Sequence, residues 1–163
     1  MVRKARRNCM VKLSGDCTDL TPAILAWLSV LDREYYLVVL VGGGTQINKE
    51  FKRHGWKINR KHGALGREHR SFAQRQVARD VLEKNQVKVQ ECLAKNSIKA
   101  QVIIPVLELG GVLCHVNGDQ FVLTAYLGYD KLYMVTTPER VEKKVVELSK
   151  FQPPLKKIEV IGF

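Results

Sequence analysis

Three clusters in this chain have residue types and spacing suited to holding an anion. The first is Val41-Gly42-Gly43-Gly44-Thr45-Gln46-Ile47-Asn48, a triple glycine between the apolar run Leu37 to Val41 and a segment of helical pattern. A turn without Cβ atoms lets backbone N–H groups approach an anion, and the N-terminus of the following helix adds a favourable dipole. The same turn also closes ordinary strand-to-helix corners, so its meaning depends on its company. The second cluster is Lys12, Ser14 and Gly15 at the end of the first apolar run, and the third is Asn117-Gly118-Asp119 ahead of another helical segment. A lysine at a strand end serves solubility as readily as phosphate binding, and an aspartate in a first helical turn is favoured by the dipole whatever else it does.

The elements that must position these clusters follow from periodicity. Cys9 to Leu13, Tyr36 to Val41, Gln101 to Val106 and Lys131 to Val135 are short, apolar or β-branched, and bounded by turn or helix signals, which predicts strands. Weaker strand patterns occupy Val112 to Val116, after Gly110-Gly111, and Ile158 to Ile161, beyond the breaker Gln152-Pro153-Pro154. Thr21-Pro22 predicts a helix start, with Ile24, Leu25, Leu28 and Leu31 as its apolar stripe. Thr45 is the expected cap of the helix after the glycines, and Gly55 its stop. Further helices are predicted over Arg67 to Glu83, Gln86 to Asn96 and Asp119 to Leu127. Strands alternating with helices predict an α/β three-layer sandwich around a mainly parallel central sheet. Ligands of such sheets bind beyond the carboxyl ends of the strands, which brings Ser14-Gly15, Gly42 to Gly44 and Asn117-Gly118-Asp119 to one side.

Charge is the strongest compositional signal. The 163 residues carry a formal net charge of +11, with 45% hydrophobic and 26% charged residues, as in a globular domain. From Lys49 to Arg79 ten lysines and arginines stand against Glu50 and Glu68, with His54, His62 and His69 among them. That concentration attracts a phosphorylated metabolite, a carboxylate substrate, a nucleic acid or an acidic partner surface, or is simply a solvated basic face. No aromatic-interleaved RNA-recognition strand, zinc finger or helix-turn-helix pattern accompanies it. Cys9, Cys17, Cys92 and Cys114 are spaced for reduced thiols, without the paired spacing of a zinc site or a disulfide framework. No apolar run has the length of a membrane span, and Lys12 interrupts any signal core after the basic start, so the expected address is the cytoplasm.

Taken in order, Val11-Lys12-Leu13-Ser14-Gly15, the segment Val41 to Asn48, Val116-Asn117-Gly118-Asp119-Gln120, Leu127-Gly128-Tyr129-Asp130-Lys131-Leu132 and Val135-Thr136-Thr137 resemble the amino acid kinase family. The triple glycine running into Gln-Ile-Asn is most similar to the acetylglutamate kinases, and Lys-Leu-Ser-Gly to bacterial uridylate kinase. The resemblance covers roughly Val11 to Val141. It implies direct, in-line phosphoryl transfer, with ATP and Mg as cofactors and catalysis by charge neutralisation and positioning.

By that resemblance Lys12 touches the transferring phosphoryl and Asp119 orients the catalytic lysines. Gly15, Gly42, Gly43 and Gly44 supply backbone N–H donors. Arg67, or alternatively Arg70, grips a substrate carboxylate, and Asn117 is the motif asparagine of the acceptor pocket. His115 stands where acetylglutamate kinases carry an asparagine, so the acceptor is expected to be a small anionic metabolite other than acetylglutamate.

The resemblance also implies a carboxyl-terminal lobe that binds the nucleotide base and contributes a second catalytic lysine. Here residues 138–163 offer only an amphipathic helix and a strand, in a single domain that begins with a basic tail over residues 1–8. Three functions are therefore open. One is a compact phosphotransferase using a nucleoside triphosphate. The second is a catalytically degenerate ligand-binding, regulatory or assembly module, homo-oligomeric or joined by a partner subunit that covers an exposed sheet edge. The third is a basic protein that binds nucleic acid through Lys49 to Arg79.

Overall fold

The structure, a computed structural model, describes residues 6–58 and 71–163. In chain order the elements are β1 (Arg7–Leu13), α1 (Pro22–Glu34), β2 (Tyr35–Val41), α2 (Gly44–Arg53), α3 (Phe72–Lys95), β3 (Ala100–Ile103), β4 (Val106–Leu109), β5 (Val112–His115), α4 (Gly118–Thr124), β6 (Lys131–Thr136), α5 (Val141–Ser149) and β7 (Ile158–Gly162). Five strands form a parallel sheet in the order β3-β2-β1-β6-β7. The chain is an α/β three-layer sandwich, as the alternation of patterns predicts.

The two central strands show why the layers stack as they do. Residues 37–41 of β2 are buried without a break, and so are residues 9–13 of β1, because both faces of a parallel sheet are covered. Val11, Leu13, Val39 and Val41 pack with Ile24, Leu28 and Leu31 of α1 and with Val89 and Leu93 of α3. On the opposite face Met10, Leu40, Leu132 and Met134 pack with Val122 of α4 and Leu148 of α5. A smaller cluster joins Ile47 and Phe51 of α2 to Ala78 and Leu82 of α3. Among the described residues no helix is long and apolar enough to cross a membrane.

Several boundaries differ from the sequence-based expectation, each for a local reason. β1 begins at Arg7, inside the expected basic tail, because the Arg7 guanidinium lies 5.1 Å over the Tyr35 ring and donates to its hydroxyl at 3.2 Å. Gly43, not Thr45, caps α2, and the Ile47 N–H closes the first turn on the Gly43 carbonyl at 2.8 Å. The segments expected as two helices form one, α3, which starts at a capping box between Ser71 and Gln74, with both bonds at 3.2 Å. Asn85 and Gln86 interrupt its apolar pattern without breaking it. They point inward and donate to the Gly42 carbonyl at 3.2 Å and the Val102 carbonyl at 2.7 Å.

The strand expected over Gln101 to Val106 is split at Ile104-Pro105. Its second half pairs with β5 in a separate antiparallel hairpin, Val106 facing His115 and Leu109 facing Val112. Gly110 and Gly111 close the hairpin with φ of 58° and 79°, the left-handed pair that a two-residue turn requires.

One sheet edge is closed by side chains. Outward-facing groups of β3 meet α3, with Gln86 Nε2 donating to Val102 O at 2.7 Å, Gln90 Oε1 accepting from Val102 N at 3.3 Å, and Gln90 Nε2 donating to Ala100 O at 3.4 Å. These contacts satisfy backbone groups that an edge strand otherwise offers to a neighbouring chain.

Leu93 is fully buried between α3 and the α1 face of the sheet. Leu93→Ala should therefore destabilise the fold by about 2–5 kcal/mol, measured as a lower midpoint of urea unfolding with an unchanged slope.

Candidate functional site

β1 is flanked by β2 on one side and β6 on the other, and the chain leaves β1 toward the β2 side. The direction of winding therefore reverses between β1 and β6, and their carboxyl ends border the crevice where open α/β sheets hold ligands. Lys12 is the penultimate residue of β1. Its neighbours Val11 and Leu13 face the α1 layer, so the alternation of the strand sends Lys12 to the α4 and α5 side. Lys12 Nζ reaches Asp119 Oδ1 at 3.0 Å and lies 3.5 Å from Ser14 Oγ, which itself donates to the Val135 carbonyl at 2.9 Å.

Asp119 sits in the first turn of α4. The Asn117 side chain caps that helix by accepting from the Asp119 backbone N–H at 2.8 Å. Between them Gly118 leaves room for the lysine, since an added Cβ would stand 3.3 Å from Lys12 Cε. The other carboxylate oxygen, Oδ2, accepts from Nζ of Lys144, on the fourth residue of α5. Lys144 also meets Glu147 Oε2 at 3.2 Å. One carboxylate is thus shared by two lysines brought from β1 and α5, with side-chain exposures of 10% for Lys12, 14% for Lys144 and 29% for Asp119.

The electrostatics follow from this sharing. Burial acts to raise the Asp119 pKa, but Lys12 and then Lys144 outweigh it and hold the carboxyl below its ordinary value. Burial acts to lower the Lys144 pKa, yet Asp119 and, less strongly, Glu147 leave it raised. Asp119 and Lys144 therefore stay ionised at neutral pH. With Lys12 protonated, the trio carries a formal charge of +1.

The glycine loops converge beside this trio. An added Cβ at Gly15 would stand 2.6 Å from Gln46 Oε1 and 3.2 Å from the Gly44 nitrogen, and one at Gly42 would stand 2.8 Å from the Leu13 carbonyl oxygen and 3.3 Å from the Gly15 nitrogen. A side chain at Gly42 is excluded by the backbone of β1, and one at Gly15 by Gln46. Gln46 fastens them together, its Nε2 donating to the Gly15 carbonyl at 2.6 Å and lying 3.3 Å from Thr18 Oγ1. Asn85 anchors the second turn to α3 at the Gly42 carbonyl.

Of the site residues expected from sequence, Lys12, Asp119 and Asn117 meet directly, and Gly15 lies against Gly42 to Gly44. Gly42 is not the ligand donor expected of it, because its N–H is bonded to the Leu13 carbonyl at 2.9 Å. His115 ends β5, paired with Val106, two residues before Asn117. Arg67 and Arg70 lie outside the described residues. Of the basic stretch, Lys49, Lys52, Arg53, His54 and Lys57 are exposed along α2 and just beyond it. Sequence reasoning missed Lys144, Glu147 and Gln46. Gln46 was visible within the glycine segment, whereas Lys144 had no signal beyond its place in a short amphipathic helix.

Other chemistries find less support among the described residues. Cys9, Cys17, Cys92 and Cys114 are free, and burial pushes the Cys9 thiol up to about 12, so it is no nucleophile at neutral pH. No group of three or more His, Cys, Asp or Glu side chains is arranged to hold a metal ion among those residues. No protein-family model and no curated protein matches this chain, so the functional reading rests on its own residues.

Asp119→Asn tests the electrostatic account. A carboxyl whose folded pKa lies below its unfolded value contributes stability that is present above the unfolded value, near 3.8, and is lost as pH falls through the folded value. The wild-type protein should exceed Asp119→Asn by about 1–3 kcal/mol at pH 7, and the gap should close as the pH is lowered below about 4, measured by denaturant unfolding across pH.

Proposed function

We propose that this chain is a compact phosphotransferase of the amino acid kinase type, moving a phosphoryl group from a nucleoside triphosphate to a small anionic acceptor. The observation that carries this reading is Asp119 shared between Lys12 and Lys144 at the crevice beside the glycine loops. The resemblance of the sequence implied a second lysine from a further lobe. Lys144, on the helix that follows β6, fits that role.

The residues present suit a triphosphate. Two ammonium groups supply charge, and the backbones of Gly15 and Gly42 to Gly44 lie side by side next to them. Bound ATP would supply the phosphoryl group and the charged leaving group. Lys12 and Lys144 would hold its terminal phosphate oxygens. Mg fits only as an ion carried by the phosphates, since both oxygens of Asp119 are engaged by lysines.

What the chain itself does is position and neutralise. Charge on a migrating phosphoryl spreads over its equatorial oxygens, so two cations held apart by one carboxylate meet it better than a single flexible lysine. Asp119 sets their spacing and keeps Lys144 charged. With its pKa lowered and both oxygens occupied, Asp119 is a poor proton acceptor. A clamp of this kind suits an acceptor that is already an anion, a carboxylate or a phosphate, because such a nucleophile needs no base to remove a proton.

The test is ATP consumption by the purified protein across a panel of carboxylate and phosphate metabolites. Lys12→Met and Lys144→Met should each lower kcat by about 100- to 1000-fold while leaving the fold intact. Anion binding without turnover would instead make the chain a ligand-binding module. Absence of both turnover and nucleotide binding by calorimetry would overturn the proposal.

A further inference from the structure

The clamp contains a carboxylate that the phosphotransferase reading does not use. Lys144 carries three N–H donors. One is spent on Asp119, and Glu147, one turn further along α5, takes another at 3.2 Å. The two acidic partners are held very differently. Asp119 is fixed by lysines from two elements and by its place in the first turn of α4, whereas the Glu147 side chain is 47% exposed and its only ion pair among the described residues is with Lys144. A pair of this exposure contributes little to the fold, and lysine placed before glutamate along a helix is the weaker orientation. Nothing in the packing requires Glu147 to stay on Lys144.

We propose that Glu147 is a displaceable internal counter-ion, occupying on Lys144 the position that an incoming oxyanion takes and returning to it when the anion leaves. The inference rests on the reading of the trio as an anion clamp. Lys12, Asp119 and Lys144 together carry a formal +1, and Glu147 cancels it, so the four side chains are together neutral. A phosphate oxygen that takes this position on Lys144 swaps with the Glu147 carboxylate. The exposed side chain can rotate into solvent on the same helix without disturbing Asp119. Its consequence is a lowered affinity for every anion that uses Lys144, including the phosphorylated product. An otherwise tight electrostatic trap becomes one that releases.

Calorimetric titration of the full chain with inorganic tripolyphosphate tests this. Glu147→Gln should bind about 5- to 10-fold more tightly than wild type, because a neutral amide neither competes for Lys144 nor repels the ligand. Glu142→Gln makes the same change in net charge on an exposed residue of α5 and should stay within about 2-fold of wild type. In a Lys144→Met background the gain from Glu147→Gln should vanish. Unchanged or weaker binding by Glu147→Gln, an equal gain from Glu142→Gln, or a gain that survives Lys144→Met overturns the proposal. If wild type binds tripolyphosphate through Lys144 and Glu147→Gln gains nothing, the counter-ion falls and the clamp stands. If neither wild type nor any variant binds, both fall.

Discussion

A single carboxylate held between two lysines joins three parts of this chain that are far apart in sequence. Asp119 ties the end of β1 to the start of α4 through Lys12, and both of these to α5 through Lys144. Each partner is placed by a different local rule. Strand alternation turns Lys12 toward the α4 and α5 layer, the Asn117 cap fixes the first turn of α4, and the short connection after β6 brings α5 over the same strand end. Lys12 and Lys144 favour the ionised form of Asp119, and Asp119 that of Lys144, so losing the carboxylate leaves buried charge uncompensated. Among the described residues the cluster on the α4 and α5 side of the sheet has six buried apolar residues, and the polar trio lies at the end of β1 beside it.

The glycine turns obey a steric constraint. Backbone at the end of β1 stands closely enough to the β2 turn that a methyl group at Gly42 has no place to go, and one at Gly15 would displace the Gln46 side chain. Gln46 bridges the pair from the first turn of α2 and Asn85 anchors it from α3, so loops that would otherwise move independently form one surface. A rigid backbone surface next to a charge clamp is preorganised. The Gly42 N–H is itself spent on the Leu13 carbonyl at 2.9 Å, which fixes the second turn against the end of β1.

The sheet was legible in the sequence because both of its central strands are buried on two faces, β2 reading as an unbroken apolar run and β1 as one broken only by Lys12. The single helix α3 was not, because Asn85 and Gln86 look like a polar interruption until they are seen reaching the Gly42 and Val102 carbonyls. The hairpin was half legible. Gly110-Gly111 announced the turn, but the apolar stretch from Gln101 onward concealed that Pro105 ends one strand and Val106 begins another in a different sheet. In the site, Lys12, Gly15, Gly42 to Gly44 and Asp119 carried motif signals. Lys144 carried none, since a lysine on an amphipathic helix is ordinary and only tertiary packing separates it from Lys143 beside it.

The cost of the trio argues about its purpose. Desolvating two ammonium groups and a carboxylate is expensive, and well-packed apolar side chains of similar volume would close the end of β1 at least as stably. The fold has room for that solution, with Met134 beside Lys12 in register and Met10 one step below already filling the same layer. A charged cluster kept at the reversal point of the sheet, next to loops stripped of side chains, is better explained by what it binds than by what it stabilises. Its net positive charge before Glu147 is counted gives it something to gain only from an anion. The choice of lysine fits that purpose: a compact ammonium on a flexible stem can shift from one oxygen to the next, whereas an arginine fork would hold a fixed bidentate partner. Movable point charges around an immobile carboxylate suit a ligand whose charge must be held while its bonds change.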